Sequence, residues 1–244
     1  MKLVFLGTRG YIEPISRLHR MHTSTLVCQS RSRVLIDCGE TWRERLSRVS
    51  PGAIVITHAH PDHAFGLDRG APCPVWATRD TWERIDHFPI PDAQRHVILP
   101  REPCAIEGIR FEAFPVVHSL RAPAVGYRIR AGAVSVFYVP DVVSIPERRA
   151  AFRGIRAYIG DGATVSRNMV RRDRRTGELF GHTTIRAQIA WCREEGVSTM
   201  FVTHCGSDIV GGDERRVSAA LRVLGREHHV DVVIARDGME HVFR

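Results

Sequence analysis

Lysine is almost missing from this chain of 244 residues: Lys2 is the only one, and every other basic residue is an arginine. The formal net charge is nonetheless +8, which suggests an anionic partner. The densest basic stretch, residues 167–175, is interrupted by Asp173 and contains no aromatic side chain that could stack on a base. It is weak support for nucleic-acid binding, so a small anionic substrate is the expected partner.

Paired cysteines and long apolar runs are also missing. The six cysteines form no C-x-x-C pair, which argues against a zinc ribbon or a disulfide framework and favours buried, reduced thiols. No apolar stretch approaches the ~20 residues of a membrane-spanning helix. The short apolar run after Met1 lacks the features of a signal peptide. The expectation is therefore a cytoplasmic protein that does not act at a membrane.

Short β-branched segments alternate with amphipathic ones along the chain, without a repeat or a linker. The pattern predicts strands at 3–6, 24–28, 34–37, 53–57, 109–117, 124–129, 134–139, 199–203 and 230–235. It predicts helices at 41–49, 81–87, 183–195 and 213–228. Two strand-rich halves that each end in helices indicate an α/β fold. We expect a single domain over residues 1–244, with helices outside two central sheets.

The strongest local pattern follows the apolar segment 53–57 and is the run His58-Ala59-His60-Pro61-Asp62-His63. Alternate side chains of extended backbone share a face, so His58 and His60 project together. Asp62 and His63 then begin a turn or a helix after the proline. Imidazole and carboxylate groups together suit zinc, manganese or iron. Three histidines and an aspartate within six positions at a strand end therefore predict a metal site.

Three further residues of the same chemical types close apolar strands later in the sequence. They are His118, Asp141 and His204. Because several strand ends can converge on one cleft, we interpret these residues as candidate ligands of the same metal centre.

With these residues identified, the chain resembles the metallo-β-lactamase superfamily over nearly its whole length. The H-x-H-x-D-H run and the three later strand ends carry the resemblance, together with Leu35-Ile36-Asp37-Cys38-Gly39 and Ala235-Arg236-Asp237-Gly238-Met239. The last segment is similar to a C-terminal strand of the family's phosphodiesterase branch. The resemblance implies an αββα sandwich with two divalent metal ions at the edge between the sheets. Zinc is the first expectation, with manganese or iron as alternatives.

The resemblance also implies a role for each candidate ligand. One metal ion would be held by His58, His60 and His118, the second by Asp62, His63 and His204, and both by a bridging Asp141. Pro140 departs from the family's usual glycine before that aspartate. Asp37 would orient a ligand histidine rather than bind a metal itself.

Gly181-His182-Thr183-Thr184 precedes a predicted helix and resembles a histidine motif of the ribonuclease Z branch. By that resemblance His182 orients the phosphate or protonates the leaving oxygen, so Asp62 and His182 are the candidate catalytic residues. The alternative is that the segment only begins a helix, with Thr183 as its N-cap. The implied reaction is phosphodiester hydrolysis by a hydroxide that bridges the two metals.

The substrate is less constrained by the sequence. Ribonuclease Z carries a tRNA-gripping insertion between the positions of His118 and Asp141, whereas residues 119–140 here are mainly two predicted strands. A related cyclic phosphodiesterase has a cysteine-rich zinc site near its N-terminus, and this sequence has no matching cysteines. We therefore expect a small or cyclic phosphodiester as substrate. The alternatives are ribonuclease Z-like RNA processing, a lactonase or thioesterase with the same metal centre, and an interaction module without catalysis. A homodimer is suggested only because it is common among members of the family that the chain resembles.

Overall fold

Strands and helices alternate along residues 1–243, the part of the chain that this computed structural model describes. The strands are β1 Lys2–Gly7, β2 Ser24–Gln29, β3 Ser32–Ile36, β4 Ala53–Val55, β5 Val75–Ala77, β6 Arg95–Val97, β7 Cys104–Ile106, β8 Ile109–Val116, β9 Ala124–Ala131, β10 Val134–Tyr138, β11 Ala157–Asp161, β12 Arg171–Arg172, β13 Leu179–Phe180, β14 Thr199–Thr203, β15 Asp231–Ile234 and β16 Met239–Val242. The α-helices are α1 Leu46–Val49, α2 Pro61–Ala64, α3 Arg79–Arg84, α4 Arg148–Phe152, α5 Ile185–Glu194, α6 Ser207–Val210 and α7 Glu214–Glu227.

Two seven-stranded sheets contain all of these strands except β12 and β13, which form a separate hairpin. The first sheet has the order β16-β1-β2-β3-β4-β5-β6, and the second has the order β15-β14-β11-β10-β9-β8-β7. In each sheet an antiparallel meander continues into parallel strands, from β3 to β6 in the first and from β10 to β15 in the second. Parallel neighbours need long crossover connections, and the helices supply most of these on the outer faces.

Alternate side chains of each strand face opposite sides of its sheet, so the buried apolar residues form three layers, one between the sheets and one outside each sheet. Between the sheets, Phe5 and Ile36 of the first sheet pack with Phe111 and Tyr127 of the second, and all four are fully buried. Outside the second sheet, a separate apolar cluster joins its strands to α4, α5 and α7. Outside the first sheet, another cluster includes residues of α1 and α3. The predicted αββα sandwich is confirmed.

Two predicted helices differ from the observed ones. The helix predicted at 41–49 is a 3₁₀ turn at Glu40–Trp42 followed by the single turn α1, because Glu44 between them has a φ of 60°, which a helix cannot contain. The helix predicted at 81–87 begins earlier, at α3, since Thr78 caps it by accepting a hydrogen bond from the Thr81 amide at 3.3 Å.

Disulfides and membrane-spanning helices are both absent from residues 1–243. Each of the six cysteines is a free thiol, and Cys38, Cys73, Cys192 and Cys205 are buried. No helix in the described part of the chain has the length and apolar character needed to cross a bilayer. The prediction of unpaired cysteines is confirmed.

Candidate metal centre

Five strands direct their carboxyl ends to the same edge of the sandwich. The residues that follow or end β4, β8, β10, β11 and β14 include His58, His118, Asp141, Asp161 and His204. After β4 the chain runs through His60, which is the extended N-cap of α2, and Pro61 occupies the first position of that helix. Since proline at this position does not interrupt the helical hydrogen bonds, the next turn brings Asp62 and His63 back toward the strand ends.

Asp141 lies at the centre of the cluster. Its Oδ2 is 3.2 Å from the Nε2 atoms of three histidines, which are His58, His63 and His118. Its Oδ1 is 2.9 Å from Nδ1 of His204. Asp141 is buried, so its carboxylate faces imidazoles rather than water.

The remaining predicted ligands complete the cluster from either side. His60 Nδ1 lies 2.9 Å from His58 Nε2 and 3.3 Å from His118 Nε2. Asp62 Oδ2 lies 3.0 Å from His204 Nε2. The structure thus brings together all seven residues that the sequence nominated as ligands.

The chemistry of these groups suits two cations. One set with potential ligand atoms within 4.8 Å of one another contains His58, His60, His118 and Asp141, and another contains Asp62, His63 and His204. Three buried atoms of the cluster form no hydrogen bond of favourable geometry within residues 1–243, although ionisable groups lie 2.9–3.2 Å away: His63 Nε2, Asp141 Oδ1 and His204 Nδ1. Buried polar atoms without partners are rare because desolvation is unfavourable. Metal coordination would satisfy them, so the residues present fit a dinuclear site.

The electrostatics of the cluster also suit cations. Burial lowers the pKa of His60 to about 4, with a further contribution from the neighbouring His118, and burial lowers the pKa of His58 as well. Their neutral imidazoles are the form that binds metals. Burial also disfavours a charged His63, yet the carboxylates around it outweigh burial and raise its pKa. These carboxylates favour positive charge at this position, which a metal ion would provide.

Asp37 forms a hydrogen bond with one candidate ligand, His63, as predicted. Its Oδ2 accepts a hydrogen bond from His63 Nδ1 at 2.9 Å, and its Oδ1 accepts one from the Thr57 amide at 2.8 Å. The Thr57 hydroxyl donates to the same carboxylate, 2.8 Å from Oδ2. With Nδ1–H donated to Asp37, His63 presents Nε2 to the cluster.

His182 lies beside the cluster, paired with a carboxylate that the sequence reasoning missed. Asp161 Oδ2 accepts from His182 Nδ1 at 2.8 Å and from the Val142 amide at 3.0 Å, and Oδ1 accepts from the Ala163 amide at 2.8 Å. Asp161 ends an apolar strand, which is the same signal that identified His118, Asp141 and His204. Asp161 and His182 also form a third possible ligand set with Asp141 and His204.

His182 is oriented by more than its aspartate. Its ring stacks on His204, with centroids 5.5 Å apart, and lies edge-on to His118 at 5.0 Å. The following helix α5 is capped by Thr184, whose hydroxyl accepts from the Ala187 amide at 3.1 Å, so the alternative that Thr183 is the N-cap is wrong. His182 therefore lies two residues before the N-cap and has no capping role in α5.

Glycines allow two loops to approach the cluster closely. A Cβ on Gly39 would lie 2.2 Å from the Asp62 carbonyl oxygen, and one on Gly10 would lie 3.0 Å from the His204 ring. A larger residue at either position would push its loop away from the ligands.

A cavity of about 370 Å³ opens over the cluster. Besides the candidate ligands and His182, its lining includes Tyr11, Ile12, Arg167 and Met169. Arg167 and Met169 are the two residues of the basic stretch 167–175 that line the cavity. Arg172 belongs to the β12–β13 hairpin, where its guanidinium donates to the Gly177 carbonyl at 2.6 Å.

Residues 32–205 match the family model of the beta-lactamase superfamily domain. The chain belongs to this superfamily and has the metallo-β-lactamase fold. Ribonuclease Z of Methanopyrus kandleri is 26% identical in an alignment of 277 positions that covers 96% of this chain and 95% of that protein. Zinc-bound PqqB from Methylobacterium extorquens is similar with a TM-score of 0.73 and 17% identity over 100% of both chains. A diphosphatase of the PhnP family has a TM-score of 0.70 and 22% identity over 98% of this chain and 96% of the other. The prediction of a hydrolase of this superfamily is confirmed.

Proposed function

We propose that this hydrolase cleaves a small or cyclic phosphodiester at a dinuclear metal centre. The observation that carries the proposal is the pairing of His182 with Asp161 beside the Asp141 cluster. A hydrolase of carbonyl esters would need the metals. It would not need an additional imidazole that lines the same cavity and is oriented by its own carboxylate. Ribonuclease Z and the diphosphatase are both named for cleavage of phosphate linkages, which supports the same reading.

The chain's own residues have distinct parts in this reaction. One metal ion is assigned to His58, His60 and His118, the other to Asp62, His63 and His204, and Asp141 is assigned to both. Bound there, two divalent cations would activate a water molecule and neutralise phosphate oxygens. Zinc is our first choice, supported by the zinc-bound relative PqqB. Asp62 additionally faces the cavity, where it is placed to orient the attacking water.

His182 is assigned to the leaving group. Because Nδ1–H is donated to Asp161, the free ring nitrogen is Nε2, on the side of the cavity lined by His182. The Asp161 carboxylate outweighs the effect of burial and raises the pKa of His182. The protonated imidazole is therefore favoured, and it can donate a proton to the departing oxygen.

The shape of the site favours a small substrate. The cavity volume of about 370 Å³ lies in the range of small-molecule pockets. Residues 119–140, where ribonuclease Z carries its insertion, contain β9 and β10 joined by a tight turn at Gly132, so no RNA-gripping arm projects there. Ribonuclease Z-like RNA processing is the second candidate, because the likeness to the Methanopyrus kandleri enzyme extends over nearly the full length of both proteins.

A metal analysis combined with a substrate screen tests the proposal. Purified protein is measured by mass spectrometry for zinc, manganese and iron. It is then assayed with bis(p-nitrophenyl) phosphate, cyclic nucleotides, a tRNA precursor, lactones and thioesters. We expect about two metal ions per chain and turnover of a small diester that is lost on chelation. Fewer than one metal per chain without metal-dependent turnover would refute the enzyme reading, and preference for the tRNA precursor would favour the second candidate.

His60→Ala sharpens this test. It removes one proposed ligand, so metal content should fall and kcat for the diester should decrease on the order of 1,000-fold, the scale of losing several kcal/mol of charge stabilisation. His87→Ala is the matched control, because His87 is exposed and lies outside the cavity. Equal metal content in both variants would contradict the assignment of His60.

Arg167 is the basic side chain on the cavity wall, and we assign it to the substrate phosphate. Its guanidinium is exposed and forms no ion pair within residues 1–243. Arg167→Gln should raise KM about tenfold, as expected for one charge-assisted hydrogen bond, and leave kcat within a factor of three. Arg175→Gln, on the nearby exposed turn, is the control in the same steady-state assay.

A further inference from the structure

A second basic cavity lies on the outer face of the second sheet. This groove, of about 570 Å³, is lined by Pro103, Arg110, Glu112, Arg128, Arg130, Ala133, Ser135, Arg153 and Gly154. We call it the arginine groove. None of its lining residues belongs to the candidate metal centre.

The register of the strands builds the groove. Arg110 of β8 lies directly opposite Arg130 of β9, and Arg130 lies opposite Ser135 of β10. The inward neighbours Phe111 and Ile129 are fully buried between the sheets, so the two arginines point outward. Helices cover this outer face around Phe114 and Phe137 but leave the end of the sheet at Arg110 exposed.

The charges in the groove are not balanced by the protein. Glu112 is buried and is already paired with Arg128 and Arg101. Across residues 1–243, Arg110, Arg130 and Arg153 form no ion pair, and all three are exposed. Like charges directly opposite each other on neighbouring strands are destabilising. An anion bound between them would remove that repulsion.

The groove is remote from the metal centre. Arg110 lies near the start of β8, and His118 follows the end of the same strand. Eight residues of extended chain span about 26 Å at ~3.3 Å per residue. A ligand in the arginine groove would therefore not touch the metals.

We propose that the arginine groove is a second binding site, for a compact ligand with two or more adjacent phosphate groups. Guanidinium groups bind phosphate oxygens in a bidentate manner, and three unpaired ones around one cavity match more than a single phosphate. No aromatic side chain lines the groove, so it offers no surface for stacking a base. This argues for a polyphosphate group rather than for a nucleic-acid strand.

Titration with inorganic pyrophosphate tests the proposal. Binding is measured by calorimetry with the full-length metal-loaded protein and with His60→Ala, in which the metal centre no longer competes for or hydrolyses the probe. We expect both proteins to bind pyrophosphate at the groove, with an affinity that decreases as salt is added. In the His60→Ala background, the double variant Arg110→Gln/Arg130→Gln should weaken this binding at least tenfold. In the wild-type background, it should leave turnover of the diester unchanged.

The matched control removes two charges elsewhere. Arg215→Gln/Arg222→Gln changes two exposed arginines of α7 that form no ion pair within residues 1–243, and it should leave pyrophosphate binding unaltered. The proposal is overturned if binding disappears in His60→Ala, if the groove variant in that background binds as tightly as His60→Ala alone, or if both double variants weaken binding equally. Binding of single-stranded RNA but not pyrophosphate would also overturn it. Thermal unfolding of each variant shows that the fold is retained.

Discussion

Two fully buried carboxylates lie behind the metal centre, one at the end of a strand in each sheet. Asp37 follows β3 in the first sheet and holds His63, whereas Asp161 ends β11 in the second sheet and holds His182. Both accept a hydrogen bond from an imidazole Nδ1, at 2.9 Å and 2.8 Å. Both also accept backbone amide hydrogen bonds, from Thr57 and Val142 respectively.

Their electrostatic environments differ. Burial raises the pKa of Asp37 and outweighs the opposing effect of His63. Burial acts on Asp161 too, but the charge of His182 and the hydrogen bonds it receives outweigh burial and lower its pKa. His63 is inaccessible, whereas the side chain of His182 is 18% exposed and lines the cavity. In the proposed assignment, the same chemical pair would orient a metal ligand on one side and a substrate-facing imidazole on the other.

The largest effect that separates the two carboxylates is expected for Asp161→Asn. If Asp161 orients His182 as a proton donor, kcat should fall on the order of 100-fold for a cyclic nucleotide, whose leaving oxygen needs a proton. The decrease should be much smaller for bis(p-nitrophenyl) phosphate, since its leaving group departs as an anion. Steady-state assays with both substrates measure this difference.

Metal content is the control for that variant. Asp161 also lies in a possible ligand set with Asp141, His182 and His204. If Asp161→Asn loses a metal ion and slows both substrates equally, then Asp161 is a ligand and the assigned difference between the two carboxylates is wrong.

The sequence predicted one of these carboxylates and not the other, for a physical reason. Asp37 lies in a recognisable five-residue segment, and the run from His58 to His63 concentrates four candidate ligands within six positions. In the second half of the chain each functional residue comes from a different strand end. Asp161 ends β11 between Gly160 and Gly162, and an aspartate flanked by glycines is typical of a turn rather than of a strand end.

The same limit applies to the fold. The eight-residue strands β8 and β9 and the amphipathic helices α5 and α7 were predicted because their periodicity extends over many residues. Strands β5, β6 and β7 have three residues each and were missed, since their positions depend on pairing with neighbours rather than on local pattern. The sequence predicted that the strand ends converge on one cleft. The distances between the side chains in that cleft required the structure.

Asp37→Asn should have a smaller effect, on metal affinity rather than on chemistry. An asparagine still accepts a hydrogen bond from His63, but it lacks the negative charge of Asp37, which favours a cation nearby. Metal affinity should therefore decrease about 10- to 100-fold. Competition with a coloured chelator measures this affinity. At saturating metal, kcat should remain within a factor of three of the wild type. A loss of kcat that excess metal does not restore would mean that Asp37 acts in catalysis as Asp161 does.

The smallest expected effect concerns Thr57, whose hydroxyl and amide donate to Asp37 and whose hydroxyl oxygen also accepts from His58 Nδ1 at 3.0 Å. Thr57→Val keeps the amide and the side-chain shape but removes the hydroxyl, so the metal-free protein should lose about 1.5–3 kcal/mol in free energy of unfolding, the usual contribution of a hydrogen bond to a charged group. Thr203→Val is the matched control, because Thr203 is fully buried and its hydroxyl has no partner among residues 1–243. Urea denaturation should show no loss for that control, since valine removes an unsatisfied polar group. Equal destabilisation by the two substitutions would mean that packing, and not the hydrogen bond to Asp37, determines the contribution of Thr57.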